Sequence, residues 1–265
     1  MGTSTSSSGP RSGASFDPPW LNDIDGSAPA ALPDAAIAPA AAPARRFAGA
    51  RRDFNSFISG AGALSIGRAI GQYSRTGMGG ASRAAARMRP STNAAAGLAS
   101  FLGAVRDRAT PEISNWVDAL VATSPPPDQI ADAIVRELAL SGGSADEESL
   151  RNSMARAFID LLTIQPSLDL LAMADSDIWL LLQLFLSNEV CNRLQFDVAQ
   201  FFESSRIDPL TAVTRETEMR DFVKNGVALQ LSKLAETTKN PTRQQLEALM
   251  QDALRAVFET YEGCL

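Results

Sequence analysis

The stretch from Thr242 to Tyr261, TRQQLEALMQDALRAVFETY, decides the fold class. Its apolar residues Leu246, Leu249, Met250, Leu254, Val257 and Phe258 recur at steps of three and four, the spacing that puts them on one face of an α-helix. The same spacing runs upstream. Thr211 to about Thr238 reads as a second long amphipathic helix, and Ile113, Trp116, Val117, Leu120 and Val121 form a third stripe. Ile130, Ile134, Val135 and Leu138 form a fourth, after the break at Pro125-Pro126-Pro127, where Ser124 or Asp128 is placed to cap the new helix. Gly142-Gly143 ends that stripe, and Ser144 with Glu147 three residues on predicts a capped helix to about Leu162. The most apolar run, Ile178 to Leu186 (IWLLLQLFL), leads on to Phe201-Phe202. A membrane-spanning helix needs about 20 such residues, so this run predicts a buried core helix. No alternating β pattern and no fixed-period repeat occurs. The sequence predicts an all-α protein: a multi-helix globular body preceded by a long flexible N-terminal tail.

Composition narrows the chemistry. The chain has 265 residues, no histidine and two cysteines, Cys191 and Cys264. Without histidine there is no Ser-His-Asp triad, no Cys-His pair and no His-bearing metal site. Two cysteines supply neither a disulfide framework nor a Cys-only zinc site, so no metal and no cofactor is expected. Cys264 is next to the last residue, and prenylation needs a cysteine four from the end. The start of the chain has neither the basic region nor the apolar run of a signal peptide, which predicts a cytoplasmic protein with reduced thiols.

Charge divides the chain. Residues 1–44 carry one arginine and four aspartates, residues 45–108 eleven arginines and two aspartates, and residues 109–265 twelve bases and twenty-four acids. The division predicts a recognition tail at 1–25, a Pro/Ala-rich linker at 26–44, a basic Gly/Arg-rich helical segment at 45–108 and an acidic helical body at 109–265. The basic segment is expected to dock on the acidic body or on a partner. The overall charge of −6 argues against nucleic acid as the partner of the whole chain.

The first ten residues, MGTSTSSSGP, hold no charge and nothing apolar after Met1. They cannot contribute to a core. A small second residue permits removal of Met1, which leaves a Gly2 amine with a pKa of about 7.7–8.0, partly uncharged and nucleophilic at neutral pH. Met1-Gly2-x-x-x-Ser6 also fits the N-myristoylation pattern, but no base precedes Arg11 to give the second signal of a stable membrane anchor. Phe16-Asp17-Pro18-Pro19-Trp20-Leu21 is an aromatic island that serves either as an anchor for a partner or as a contact with its own domain. In the basic segment, Phe54, Phe57, Ile58, Leu64, Ile66, Ile70 and Tyr73 give a helical pattern interrupted by glycines. The following Gly77-Met78-Gly79-Gly80, with Arg75, Arg83 and Arg87 around it, has the ingredients of an anion site. A tight helix–helix turn with solvated arginines explains the same residues. Glu147-Glu148 and the acids Asp175 and Asp177 have no further ligands at helical spacing and read as solvated faces rather than a catalytic set, so the chain is expected not to be an enzyme.

Two stretches together resemble the QatB family, the B component of the bacterial Qat antiphage defence systems. They are Met1-Gly2-Thr3-Ser4-x-Ser6-x-x-Gly9-Pro10 with Pro18-Pro19-Trp20, and Ala69-Ile70-Gly71-Gln72-Tyr73-Ser74-Arg75-Thr76-Gly77-x-Gly79-Gly80-x-Ser82-x-x-Ala85-x-Arg87-Met88. The resemblance covers about the first 105 residues, with the helical remainder similar in character. It implies a defence role beside an ATPase (QatA), a QueC-like protein (QatC) and a TatD-like nuclease (QatD). QueC enzymes activate a 7-deazaguanine carboxylate with ATP and pass it to a nitrogen nucleophile. The resemblance therefore implies Gly2 as the acceptor, with Thr3, Ser4, Ser6, Gly9, Pro10, Pro18, Pro19 and Trp20 recognised by the QueC-like partner. The helical body would meet QatA and QatD. The alternative is a helical adaptor that binds nucleic acid or nucleotide through residues 45–108.

Overall fold

The computed structural model describes residues 45–60, 62–138, 145–198, 208–238 and 241–265. Every regular element among them is helical. In chain order they are α1 (Ala48–Ile58), α2 (Gly62–Gln72), a π-helical turn (Tyr73–Met78), α3 (Ala81–Arg87), α4 (Arg89–Asp107), α5 (Pro111–Val121), α6 (Pro127–Leu138), α7 (Ala145–Ile164), α8 (Asp175–Val198), α9 (Pro209–Thr237) and α10 (Arg243–Glu262). The tail and linker at 1–44, the capping Ser144, Gly142-Gly143 and Phe201-Phe202 lie outside the described residues.

Helix α10 forms where its stripe requires. Thr242 caps it: its Oγ1 accepts the Gln245 N–H while the Gln245 side chain accepts the Thr242 N–H. This reciprocal pair satisfies two backbone donors that the helix cannot use itself. Leu246, Met250, Leu254, Val257 and Phe258 are buried, and Leu249 is half-buried. They pack α10 against α2, α3, α4 and α9. Asp208 starts α9 by accepting the Thr211 N–H, and Thr110 starts α5 by accepting that of Ile113.

Helix α8 runs through the interior between α4, α7 and α9. Its run from Ile178 to Leu186 supplies Ile178, Leu181, Leu182, Leu184, Phe185 and Leu186 to the core, as predicted. Among the described residues no helix is long and apolar enough to cross a membrane.

Tyr261 shows how closely three helices approach. Its ring stacks on Phe222 of α9, with centroids 5.5 Å apart. A Cβ at Gly226 would collide with its hydroxyl, and one at Gly71 of α2 would collide with its carbonyl oxygen. The glycines that interrupt the sequence pattern of α2 are thus what lets α10 lie against it.

Two expectations need correction. Helix α6 begins at Pro127, so Asp128 stands inside its first turn rather than capping it, and Ser124 sits in the left-handed region at φ 47° of the preceding turn. Leu64 is 86% exposed, because α2 turns Ile66, Ile70 and its small residues inward instead. The basic segment packs against the acidic body, one of the two outcomes that its charge predicts. Phe54, Phe57, Ile70, Leu98 and Leu102 belong to the same continuous core as the helices beyond residue 109. The boundary at 108 marks a change of charge within one core.

Candidate functional site

Past Leu186, α8 changes character. Glu189, Arg193 and Asp197 follow at steps of four, so they line one side of the helix. That side is covered, and the result is a buried polar seam. Glu189 is fully buried, and three serines answer it. Ser91 of α4 donates to its Oε2 at 2.8 Å, and Ser149 and Ser153 of α7 donate to its Oε1 at 3.1 and 2.6 Å. The Asn192 side-chain amide in turn donates to Ser153 at 2.7 Å.

Arg193, one turn on, has a side chain only 2% exposed. Its Nη1 donates to Asp146 at 2.5 Å, in the first turn of α7, and Arg87 of α3 approaches the other oxygen of that carboxylate at 3.5 Å. Nε and Nη2 of Arg193 are buried without a hydrogen-bond partner. The charges of Asp146, Glu189 and Asp197 all act on the guanidinium and hold it firmly protonated against the opposing effect of burial. Partial burial also works against the charged form of Asp146. The Arg193 hydrogen bond and the charges of Arg193 and Arg87 nevertheless hold its carboxyl below the usual carboxylate range.

At the end of the seam, Tyr73 donates to Asp197 at 2.8 Å. Burial, then the Asp197 charge and hydrogen bond, push its phenol well above the ordinary tyrosine range. Tyr73 opens the π-helical turn, and Phe47 stacks on its ring at 5.6 Å. Ser74 donates to Glu262 at 2.5 Å. Such π-helical turns occur often at functional sites.

The predicted anion residues surround this turn but do not converge. Gly77 is buried because the Phe47 ring occupies the space a Cβ would need. Gly79 and Gly80 take φ of 85° and 116°, and the Gly80 N–H bonds the Ser74 carbonyl at 2.9 Å to close the turn. Arg75 and Arg83 are exposed, with the Arg83 guanidinium folded back toward Gly79, whereas Arg87 reaches Asp146 in the seam. Gly2, Thr3, Ser4, Ser6, Gly9, Pro10, Pro18, Pro19 and Trp20 lie outside the described residues. Among the acids, Asp175 accepts from Arg106 at 2.5 Å, Asp177 accepts the Ala174 N–H, and Glu148 accepts from Arg151. No group of three or more acids or cysteines that could hold a metal occurs among the described residues.

The seam draws on α3, α4, α7, α8 and the π-helical turn; its buried Glu189 is held by three serines, and its buried Arg193 pairs with the half-exposed Asp146. Chemically it neutralises charge inside a helical core and fixes those elements in register. The reading of the sequence missed it. Its one visible signal was the E-x-x-x-R-x-x-x-D spacing in α8.

A family model described as Qat anti-phage system associated protein QatB matches residues 79–261. Comparison with curated proteins and with solved structures finds no match. The match begins in the glycine turn and contains Arg87, Ser91, Asp146, Glu189, Arg193 and Asp197. It rests on the helical body, whereas the resemblance read from the sequence was placed on the first 105 residues. It spans 183 of the 265 residues, and the chain belongs to the QatB family of proteins associated with the Qat anti-phage system.

Proposed function

We propose that this component of an anti-phage defence system acts as an acceptor and adaptor rather than as a catalyst. The QueC-like partner binds the N-terminal tail and joins a 7-deazaguanine to Gly2. The observation that carries the reading is the tail itself: an uncharged, small-residue segment ending in a glycine amine, on a chain that belongs to the QatB family. In the step proposed, ATP consumed by the partner activates the deazaguanine carboxylate. The Gly2 nitrogen attacks the carboxyl carbon and an amide forms. The activated oxygen leaves with the nucleotide fragment, and the amine gives up a proton. Removal of Met1 must come first. Thr3, Ser4, Ser6, Gly9 and Pro10 present no bulk or charge to a narrow channel, and Pro18, Pro19 and Trp20 add a second point of grip. The reaction takes place in the cytoplasm, and the helical body serves the ATPase and nuclease partners.

The geometry of the body supports an adaptor. Its buried Glu189 is held by three serines and its buried Arg193 by Asp146 at 2.5 Å, which are structural roles. Co-expression with the QueC-like partner, followed by intact-mass and N-terminal peptide mass spectrometry, tests the proposal. The expected result is an adduct of one deazaguanine acyl group on Gly2, lost in Gly2→Pro together with defence. An unmodified Gly2 in an active system, or full defence by a stably expressed Gly2→Pro, overturns it.

A further inference from the structure

Helix α1 and the α2 ridge carry a basic face that acids of the body leave largely unpaired among the described residues. Arg51 and Arg52 are exposed on α1, opposite its buried Phe54, Phe57 and Ile58. Leu64, Arg68 and Arg75 follow at steps of four and seven along the outer line of α2 and the π-helical turn. Arg68 makes only a 4.0 Å contact with Asp53, which ties the two ridges into one surface. Arg51, Arg52 and Arg75 form no ion pair among the described residues. Leu64, at 86% exposure, is the most exposed large apolar residue of the described chain.

The chain carries a complement to this face. Residues 16–34, FDPPWLNDIDGSAPAALPD, hold four aspartates and no base, with Phe16, Trp20, Leu21 and Ile24 among them. They are joined to α1 through Arg45. An extended chain covers about 3.1 Å per residue, so the twenty residues from Asp25 to Arg45 reach about 60 Å, beyond the far end of the 11-residue α1. Tethering at such lengths gives an effective concentration of about 1 mM, so even a contact of millimolar affinity is about half occupied.

We infer that the segment Phe16–Asp25 docks on the α1/α2 face of its own chain, with its aspartates against Arg51, Arg52, Arg68 and Arg75 and its aromatic island against Leu64. Two features favour it over an external polyanion. The tail is covalently held beside the face, and the chain's net charge of −6 opposes nucleic acid at a distance. Docking leaves residues 2–15 as a free lead of defined length. On the acceptor reading of Gly2, on which only this consequence rests, that lead presents Gly2 at a fixed place on the body.

Disulfide trapping in the full-length chain, without any partner, tests the contact. In a Cys264→Ser background, with Cys191 buried, Asn22→Cys is paired either with Asn55→Cys on the exposed side of α1 or with Gln129→Cys on exposed α6. The twenty-three residues from Asn22 to Arg45 span about 70 Å when extended. The expected result is intramolecular disulfide formation about tenfold faster at position 55, lost in 0.5 M salt as surface charge is screened. It is lost again in Arg51→Glu/Arg52→Glu and restored when Asp23→Arg/Asp25→Arg is added. Equal rates at 55 and 129 overturn the inference. So does a concentration-dependent intermolecular disulfide, which points to a second copy. Equal rates together with binding of a fluorescent DNA 20-mer, abolished by Arg51→Glu/Arg52→Glu, assign the face to nucleic acid instead. The trapping needs no modification of Gly2, so its outcome and the mass measurement stand or fall separately.

Discussion

Replacing Gly71 and Gly103 by alanine should shift stability in opposite directions, although both glycines lie in helices. Intrinsic propensity favours alanine over glycine by about 1 kcal/mol in a helix interior. At Gly103 of α4 nothing lies within 4 Å of the position a Cβ would take. Gly103→Ala should therefore gain about 0.5–1 kcal/mol. At Gly71 the new Cβ would fall well inside van der Waals contact of the Tyr261 carbonyl oxygen, 3.1 Å from its carbonyl carbon and 3.2 Å from Leu265 Cγ. The obstacle is largely backbone, so α2 and α10 must separate along the packed seam around Tyr261. Overpacking of this kind costs about 3 kcal/mol at the upper end of its usual range. After the propensity gain, the net loss is about 2 kcal/mol. For a domain of roughly 200 residues, each kcal/mol moves the melting temperature by about 2–4 °C. Thermal unfolding followed by circular dichroism should show Gly71→Ala melting about 4–8 °C lower and Gly103→Ala about 1–4 °C higher. A Gly71→Ala protein that melts at or above the wild type would refute the close packing of α2 on α10.

Glu189→Leu removes the acceptor shared by Ser91, Ser149 and Ser153 and leaves Arg193 short of a neutralising charge. It should cost about 2–4 kcal/mol by urea unfolding, and Glu189→Gln distinctly less. Asp146 has a depressed folded pKa, so its stabilisation is fully present above the unfolded value of about 3.9 and is lost as pH falls through the folded value. Arg193→Met should therefore flatten the stability-against-pH curve below about pH 4, measured by urea midpoints, and a slope equal to the wild type's would contradict the pairing. Burial pushes the Cys191 thiol to about 12, while Cys264 is exposed. A thiol reagent at pH 8 should label one cysteine per native chain, at Cys264, and two in urea. Finally, a fragment of residues 109–265 loses Tyr73, Ser91 and the α2–α4 surface that covers α8 and α10, and should lack a cooperative melting transition.

Much of the architecture was written in apolar spacing. The stripe from Leu246 to Phe258 needs only one buried side, and α10 has one. The run from Ile178 to Leu186 is apolar all round, and α8 is surrounded. Spacing failed where burial depends on a neighbour. Glu189, Arg193 and Asp197 form a charged line that on its own reads as a solvated side of a helix. Only the arrival of Ser91 from α4 and of Ser149, Ser153 and Asp146 from α7 makes that line interior. Leu64 fits the pattern of α2 as well as Ile66 does, yet the approach of Tyr261 of α10 to Gly71, and of Phe222 of α9 and Cys264 to Gly67, chose which side turned inward. The acceptor role proposed for Gly2 comes from the family resemblance, since the sequence by itself gives only a small, uncharged segment with an amine at its end.

The arginine-rich segment joins these two kinds of information. Read as charge, residues 45–108 are a basic arm. Their apolar side chains, however, are part of the core that α8, α9 and α10 complete, and Arg87 is drawn into the seam by Asp146. A flexible arm can follow any anionic partner at the entropic cost of becoming ordered. A face held by Phe54, Phe57 and Ile70 cannot follow, so the backbone positions that carry its arginines stay at fixed separations. On the docking proposed above, the tethered acidic segment must therefore match those positions.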